Sequence, residues 1–317
     1  NGGDANVYNI GIGYNAGASM TSGLQNTIIG ALAGDGLTTG NNNVAVGYLA
    51  LSVEDAGSNN VAIGTKALTL MDAGADAYNT AVGHNAGLNV STGVNNTIIG
   101  GLAGDALTTG SNNIAIGKSA LSAEDAHGHN IAIGANALSA LNAGTDSYNV
   151  AIGSSAGGSL STGIANTIMG GLAGDALTTG DANIAIGHTA LSTEDEGNSS
   201  VAIGYQALLN QNVDGEVHNV AIGRAAGKEI TTGTQNTIIG GLAGDALTSG
   251  ANNVAVGYLA LSTEDTNGHN VAIGRKALQN LDAGVDAYNT AVGSSAGEWI
   301  TTGVRNVVIG GLAGDAL

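Results

Sequence analysis

Four carboxylate pairs, Glu54-Asp55, Glu124-Asp125, Glu194-Asp195 and Glu264-Asp265, recur at intervals of 70 residues. Paired carboxylates offer two chemistries. Oxygen donors suit a hard cation such as Ca²⁺. An acid and a base flanking a glycosidic bond suit sugar hydrolysis. A hydrolase site on a repeat array would be a singular break in the repeat with a groove of long loops, and every loop here is short. A run of acidic residues also serves as a solvated turn that keeps an apolar-rich chain soluble and blocks lateral association. That is the reading adopted for these eight residues, with Ca²⁺ kept as the alternative cofactor and the same residues as its candidate ligands.

Other candidates carry less. The run Gly100 to Leu107 has the Asp105 and Leu107 offsets of the calcium-binding nonapeptide Gly-Gly-x-Gly-x-Asp-x-U-x. Its third glycine, Gly104, is one place late, and the run does not repeat every nine residues. A tight turn with Asp105 capping backbone N–H groups fits better. His127-x-His129 lacks a third histidine or any cysteine placed by the repeat, so exposed loop histidines are expected. No phosphate-binding loop and no nucleophile elbow is present. The sequence therefore assigns no catalytic and no cofactor-binding residue, and no enzyme activity.

What positions these residues is a repeat. The glycines of the pattern Asn-x-x-(Ile/Val)-Gly-x-x-Ala-(Gly/Leu) fall at 13, 30, 47, 64, 83, 100 and onward to 310. The spacing is 17, 17, 17 and 19, so four coils make a 70-residue block and eighteen units fill residues 1–317 as a single array. Short β-branched runs such as Val44-Ala45-Val46 end at glycine, followed by polar turn clusters such as Thr38 to Asn42. This predicts an all-β parallel β-solenoid, a thin β-roll with two short strands and two turns per coil. At about 4.8 Å per layer its seventeen steps would span roughly 80 Å. The 19-residue coils add wider loops at 69–78, 139–148, 209–218 and 279–288, three of which end in Tyr78, Tyr148 and Tyr288. With Trp299 these aromatics are expected to pack over the next turn, or to contact sugar or protein.

One asparagine column, including Asn26, Asn43, Asn60, Asn79, Asn96, Asn113, Asn130 and Asn149, falls in line four residues before each glycine, broken only by Ser200. Stacked amides of this kind hydrogen-bond along a column and to turn backbone. In Val61-Ala62-Ile63 the outer residues share one strand face and Ala62 the other. Ile28, Ile98, Ile168 and Ile238 occupy the alanine face, so both faces are apolar. A single roll buries one face. The four isoleucines are therefore expected at the contact of a homo-oligomer, with threefold closure preferred.

Composition agrees with thin layers: 54 glycines, one tryptophan, and no proline, phenylalanine or cysteine. Large aromatics, which carry much of an ordinary core's buried area, are nearly missing. A net charge of -18 repels phosphate backbones and anionic head groups, so nucleic acid is not an expected partner. No apolar run approaches the roughly 18 residues of a membrane span, so no membrane insertion by this segment is expected. The repeat runs to both ends, which reads as a section of a longer protein.

The motif in Val61-Ala62-Ile63-Gly64-Thr65-Lys66-Ala67, iterated in all eighteen units, resembles the head repeat of trimeric autotransporter adhesins and the related repeats of bacteriophage tail fibres. The coils here are longer than the adhesins' coils of about fourteen residues. The resemblance implies a left-handed parallel β-roll, three chains per fibre, and an extracellular, cell-surface or virion location. The expected function is a structural and adhesive fibre segment with a surface receptor or glycan as partner. The alternative is a self-assembling extracellular filament without a receptor, and the minor alternative a calcium-binding solenoid. An ice-binding solenoid needs Thr-x-Thr columns, whereas Thr38-Thr39 and Thr108-Thr109 sit adjacent in turns.

Overall fold

The computed structural model describes residues 8–315. They form two units, 8–162 and 163–315, each a parallel β-solenoid, with no helix among the described residues. In the first unit nine three-residue strands run from Ile10–Ile12 through Thr27–Ile29, Val44–Val46 and Val61–Ile63 to Val150–Ile152. In the second, nine run from Thr167–Met169 to Val307–Ile309. Within each unit each strand pairs in parallel with the equivalent strand of the next coil, Val44 against Val61 and Ala45 against Ala62, for example. Identical coils thus stack in register because each repeats the same backbone at the same position.

One strand per coil is found where two were expected. Too many residues per coil sit at positive φ for the far side to stay extended. Around Asn96 these are Asn95 (60°), Gly100 (136°), Leu102 (59°) and Gly104 (49°). The far side is stacked turns, still bonded coil to coil: Gly104 N–H donates to Ala120 O at 2.9 Å and Ser91 N–H to Thr108 O at 2.8 Å. Exceptions among the described residues are a short parallel pairing of Gly197–Asn198 with Gly215–Glu216 and a single parallel bridge between Ser58 and Asp76. The glycine that ends each strand has φ between 124° and 142°. A Cβ on Gly100 would lie 2.5 Å from the carbonyl oxygen of Gly117, so the coil spacing itself forbids a side chain there.

The middle residue of each strand points into the coil and its two neighbours point out. Inside, volumes compensate. Isoleucine at the strand centre faces glycine across the coil, as Ile28 faces Gly34, where a Cβ would come 3.1 Å from Ile28 Cδ1. In two of the three alanine-centred coils of a block, as at Ala45 and Ala62, leucine fills the space, as Leu51 and Leu68 do. In the third, Ala81 goes with Gly87, and the space there is taken by Leu68 and Ile98 of the neighbouring coils and by Val90. This overturns the expected role of Ile28, Ile98, Ile168 and Ile238. All four are at most 1% exposed within the chain itself, so they cannot touch a second subunit. The opposite face carries the outward residues, among them Ile63, Ile99 and Ile239 at 36–38% exposure.

Candidate functional site

Seven residues beyond each strand glycine lies a core column. In successive coils it reads Leu37, Glu54, Met71; then Leu107, Glu124, Leu141; Leu177, Glu194, Gln211; and Leu247, Glu264, Leu281. A glutamate therefore stands once per block in this column, between apolar side chains except where Gln211 follows Glu194, and all four are fully buried. The expected solvated acidic pair is thus corrected: only its aspartate half reaches the surface, Asp55, Asp125 and Asp265 exposed and Asp195 half-buried. An ionised carboxylate survives burial only with donors around it. For Glu54, Glu194 and Glu264 the wide loop of the following 19-residue coil helps provide them.

Each block does so differently. Glu54 accepts the Gly57 N–H at 2.6 Å and the Ala73 N–H of the wide loop at 3.2 Å. Glu124 Oε1 accepts the Asp125 and His127 N–H groups, each at 3.2 Å. Glu194 accepts the Gly197 N–H at 2.8 Å and the Gln211 side-chain amide at 2.8 Å. Glu264 Oε1 accepts the Asn267 amide at 2.9 Å. Oε2 of Glu124 and of Glu264 is buried with no aligned protein donor. Burial pushes the Glu264 carboxyl above its ordinary value; donors from Asn267 and the Ala283 backbone oppose this, and the charge of Asp282 adds to it.

Three groups of side chains converge here, each with one ligand atom per residue within 4.8 Å of the others: Glu54, Asp55 and Asp72; Glu124, Asp125 and His127; Glu264, Asp265 and Asp282. The sequence missed Asp72 and Asp282 as neighbours of the pairs, because the chain returns to them only through the coil, and missed His127, three residues after Glu124, because it was read with His129 instead. His127 Nδ1 stands 3.4 Å from Glu124 Oε1, whereas His129 turns to Asp146 at 3.8 Å and stacks on Tyr148 at 4.9 Å. The two histidines of the His-x-His thus serve different neighbours. Tyr288 stacks likewise on His269 at 4.7 Å. Tyr148 and Tyr288 thus lie on a histidine of the adjacent coil as the packing expectation had it, yet they and Trp299 remain more than half exposed.

The asparagine column is a ladder of side chain to backbone. Asn96 N–H donates to Asn79 Oδ1 and Asn113 N–H to Asn96 Oδ1, both at 2.9 Å. Asn96 Nδ2 donates to Gly110 O, fourteen residues on, at 2.9 Å. Asn26, Asn43, Asn60, Asn79, Asn113, Asn130 and Asn149 take part in the same backbone-to-Oδ1 rungs. In the wide coils Nδ2 turns back instead, Asn60 to Ser58 O and Asn130 to Gly128 O. Ser200, the one break, is compensated by Gln211. That amide donates to Ser200 Oγ at 2.9 Å, and its Oε1 accepts from Asn219 Nδ2 at 2.9 Å.

No protein-family model matches the chain, and neither a curated protein nor a solved structure matches it. The functional reading rests on the geometry above and on the repeat.

Proposed function

We propose that this chain is a segment of a structural and adhesive fibre, lying outside a cell or on a virion, in which copies of the chain pack through their outer sheet faces. The supporting observation is that face. In each unit the two residues flanking every strand centre are Thr, Val, Ile or Met, with no charged side chain among them. Side chains such as Ile63, Ile99, Met169, Ile222 and Ile273 are 36–38% exposed there. A regular apolar face of this kind on a chain of net charge -18 is a contact surface, because solvent exposure of such a patch is unfavourable. Charge elsewhere opposes sideways association and leaves this face as the favoured one.

Three chains in a left-handed roll is the arrangement that the repeat's resemblance favours. Exposed Tyr148, Tyr288 and Trp299 are the residues offered to a surface receptor or glycan. The reading includes no reaction: the glutamates are enclosed and His127 and His129 are turned to different neighbours. A filament that assembles without a receptor shares the same contact face.

The double variant Ile116→Glu/Ile133→Glu tests the contact. It should sediment as a single chain of 30.6 kDa while keeping the β signal in circular dichroism. An assembly that survives both charges would place the contact elsewhere and remove the support for a fibre built on this face.

A further inference from the structure

Two of the four buried-glutamate sites differ from the others in one residue. At the start of the wide loop the first and fourth blocks carry Asp72 and Asp282, and the second and third carry Asn142 and Asn212. Only with aspartate there do three carboxylates meet, Glu54 with Asp55 and Asp72, and Glu264 with Asp265 and Asp282. Charges of one sign at that separation repel, and the repulsion is strongest where water is excluded. Glu264 is fully buried, and its Oε2 has no aligned protein donor.

The third block is an internal control. There Gln211 donates to Glu194 Oε2 at 2.8 Å, a neutral remedy built into the chain. At the same place the first and fourth blocks have Met71 and Leu281, which donate nothing. What is missing around Glu264 is positive charge, and a cation supplies it without a further side chain.

We propose that Glu264, Asp265 and Asp282 bind one Ca²⁺. In the first block Glu54 has both oxygens satisfied by the Gly57 and Ala73 N–H groups, so Glu54, Asp55 and Asp72 lack the open buried oxygen that draws the ion. All-carboxylate donors favour a hard cation over the softer transition metals. Glu264 contributes the buried oxygen, and the exposed Asp265 and Asp282 form the open mouth through which the ion enters, with water completing its shell. Asp265 and Asp282 belong to successive coils, so the ion ties one coil to the next. In the second block His127 replaces the third carboxylate, a poor exchange for calcium, and in the third Gln211 already satisfies the glutamate. The chain therefore binds one calcium ion. The proposal stands apart from the fibre reading, since the site lies within a single chain.

The test is calorimetric titration of the full chain, stripped with EDTA, with CaCl₂ up to about 10 mM, above the weakest extracellular calcium sites at about 1 mM. Wild type should take up one equivalent and Asp282→Asn none. The substitution copies Asn142 and Asn212, so the fold should persist, and circular dichroism checks that it does. CaCl₂ should raise the thermal midpoint of wild type and leave that of Asp282→Asn unchanged. No binding by wild type would overturn the proposal, as would a stoichiometry that Asp282→Asn leaves intact. More than one equivalent would also overturn it, by placing ions where the glutamate oxygens are already satisfied or on the Glu-Asp pairs common to every block.

Discussion

Asp35, Asp105, Asp175 and Asp245 each keep Oδ1 buried without a protein donor, so this oxygen makes none of the capping bonds that the turn reading had expected. Burial pushes the Asp105 and Asp175 carboxyls above the ordinary value of 3.8, against hydrogen bonding from their own backbone. Asp245 is pushed up by burial too, with Lys228 pulling it down and Glu229 pushing it up. A raised carboxyl pKa means that the folded chain holds more protons than the unfolded one just above 3.8. Stability from these groups is therefore present at acid pH and is lost as pH rises through the raised folded value. The triple variant with asparagine at 105, 175 and 245 should melt higher than wild type at pH 7, and the gap should close as pH falls toward 3.8. Calorimetry across that range checks it; a gap that is absent or independent of pH would contradict the sign.

Elements are where the sequence was most and least legible. The 17, 17, 17, 19 spacing of glycines announced the coil, because only stacked, identical backbone requires a residue without Cβ at a fixed interval. Which strand face points inward was not decided by alternation, since Val61, Ala62 and Ile63 are all apolar. The deciding signal was the residue opposite: glycine across from Ile28, leucine across from Ala45. Glu54 was hidden by its pairing with Asp55, although counting from Gly47 puts it in the column of Leu37 and Met71. The link between Ser200 and Gln211 is likewise invisible until the coil closes. Gln211→Leu copies the apolar residue of other blocks, yet it should destabilise, since it strips donors from Glu194 and Ser200 and an acceptor from Asn219. Each buried group left unpaired costs about 1–3 kcal/mol. Adding Ser200→Asn should recover part of the loss, giving a non-additive pair in a double-mutant cycle measured by urea unfolding. Additivity would mean that the two positions are independent.

At the scale of the whole molecule, the apolar sheet face of each unit is set against a strongly acidic remainder. The chain has few aromatics with which to cover such a face itself, and the isoleucines once expected to meet a partner are used up inside the coils. What is left outward, Thr, Val, Ile and Met in two columns, is regular enough to meet an identical column on another copy. The most direct measurement is sedimentation equilibrium of the unmodified chain at neutral pH. The account predicts a species of three times the 30.6 kDa chain mass. A folded species of one chain mass, with that face left to solvent, would contradict it.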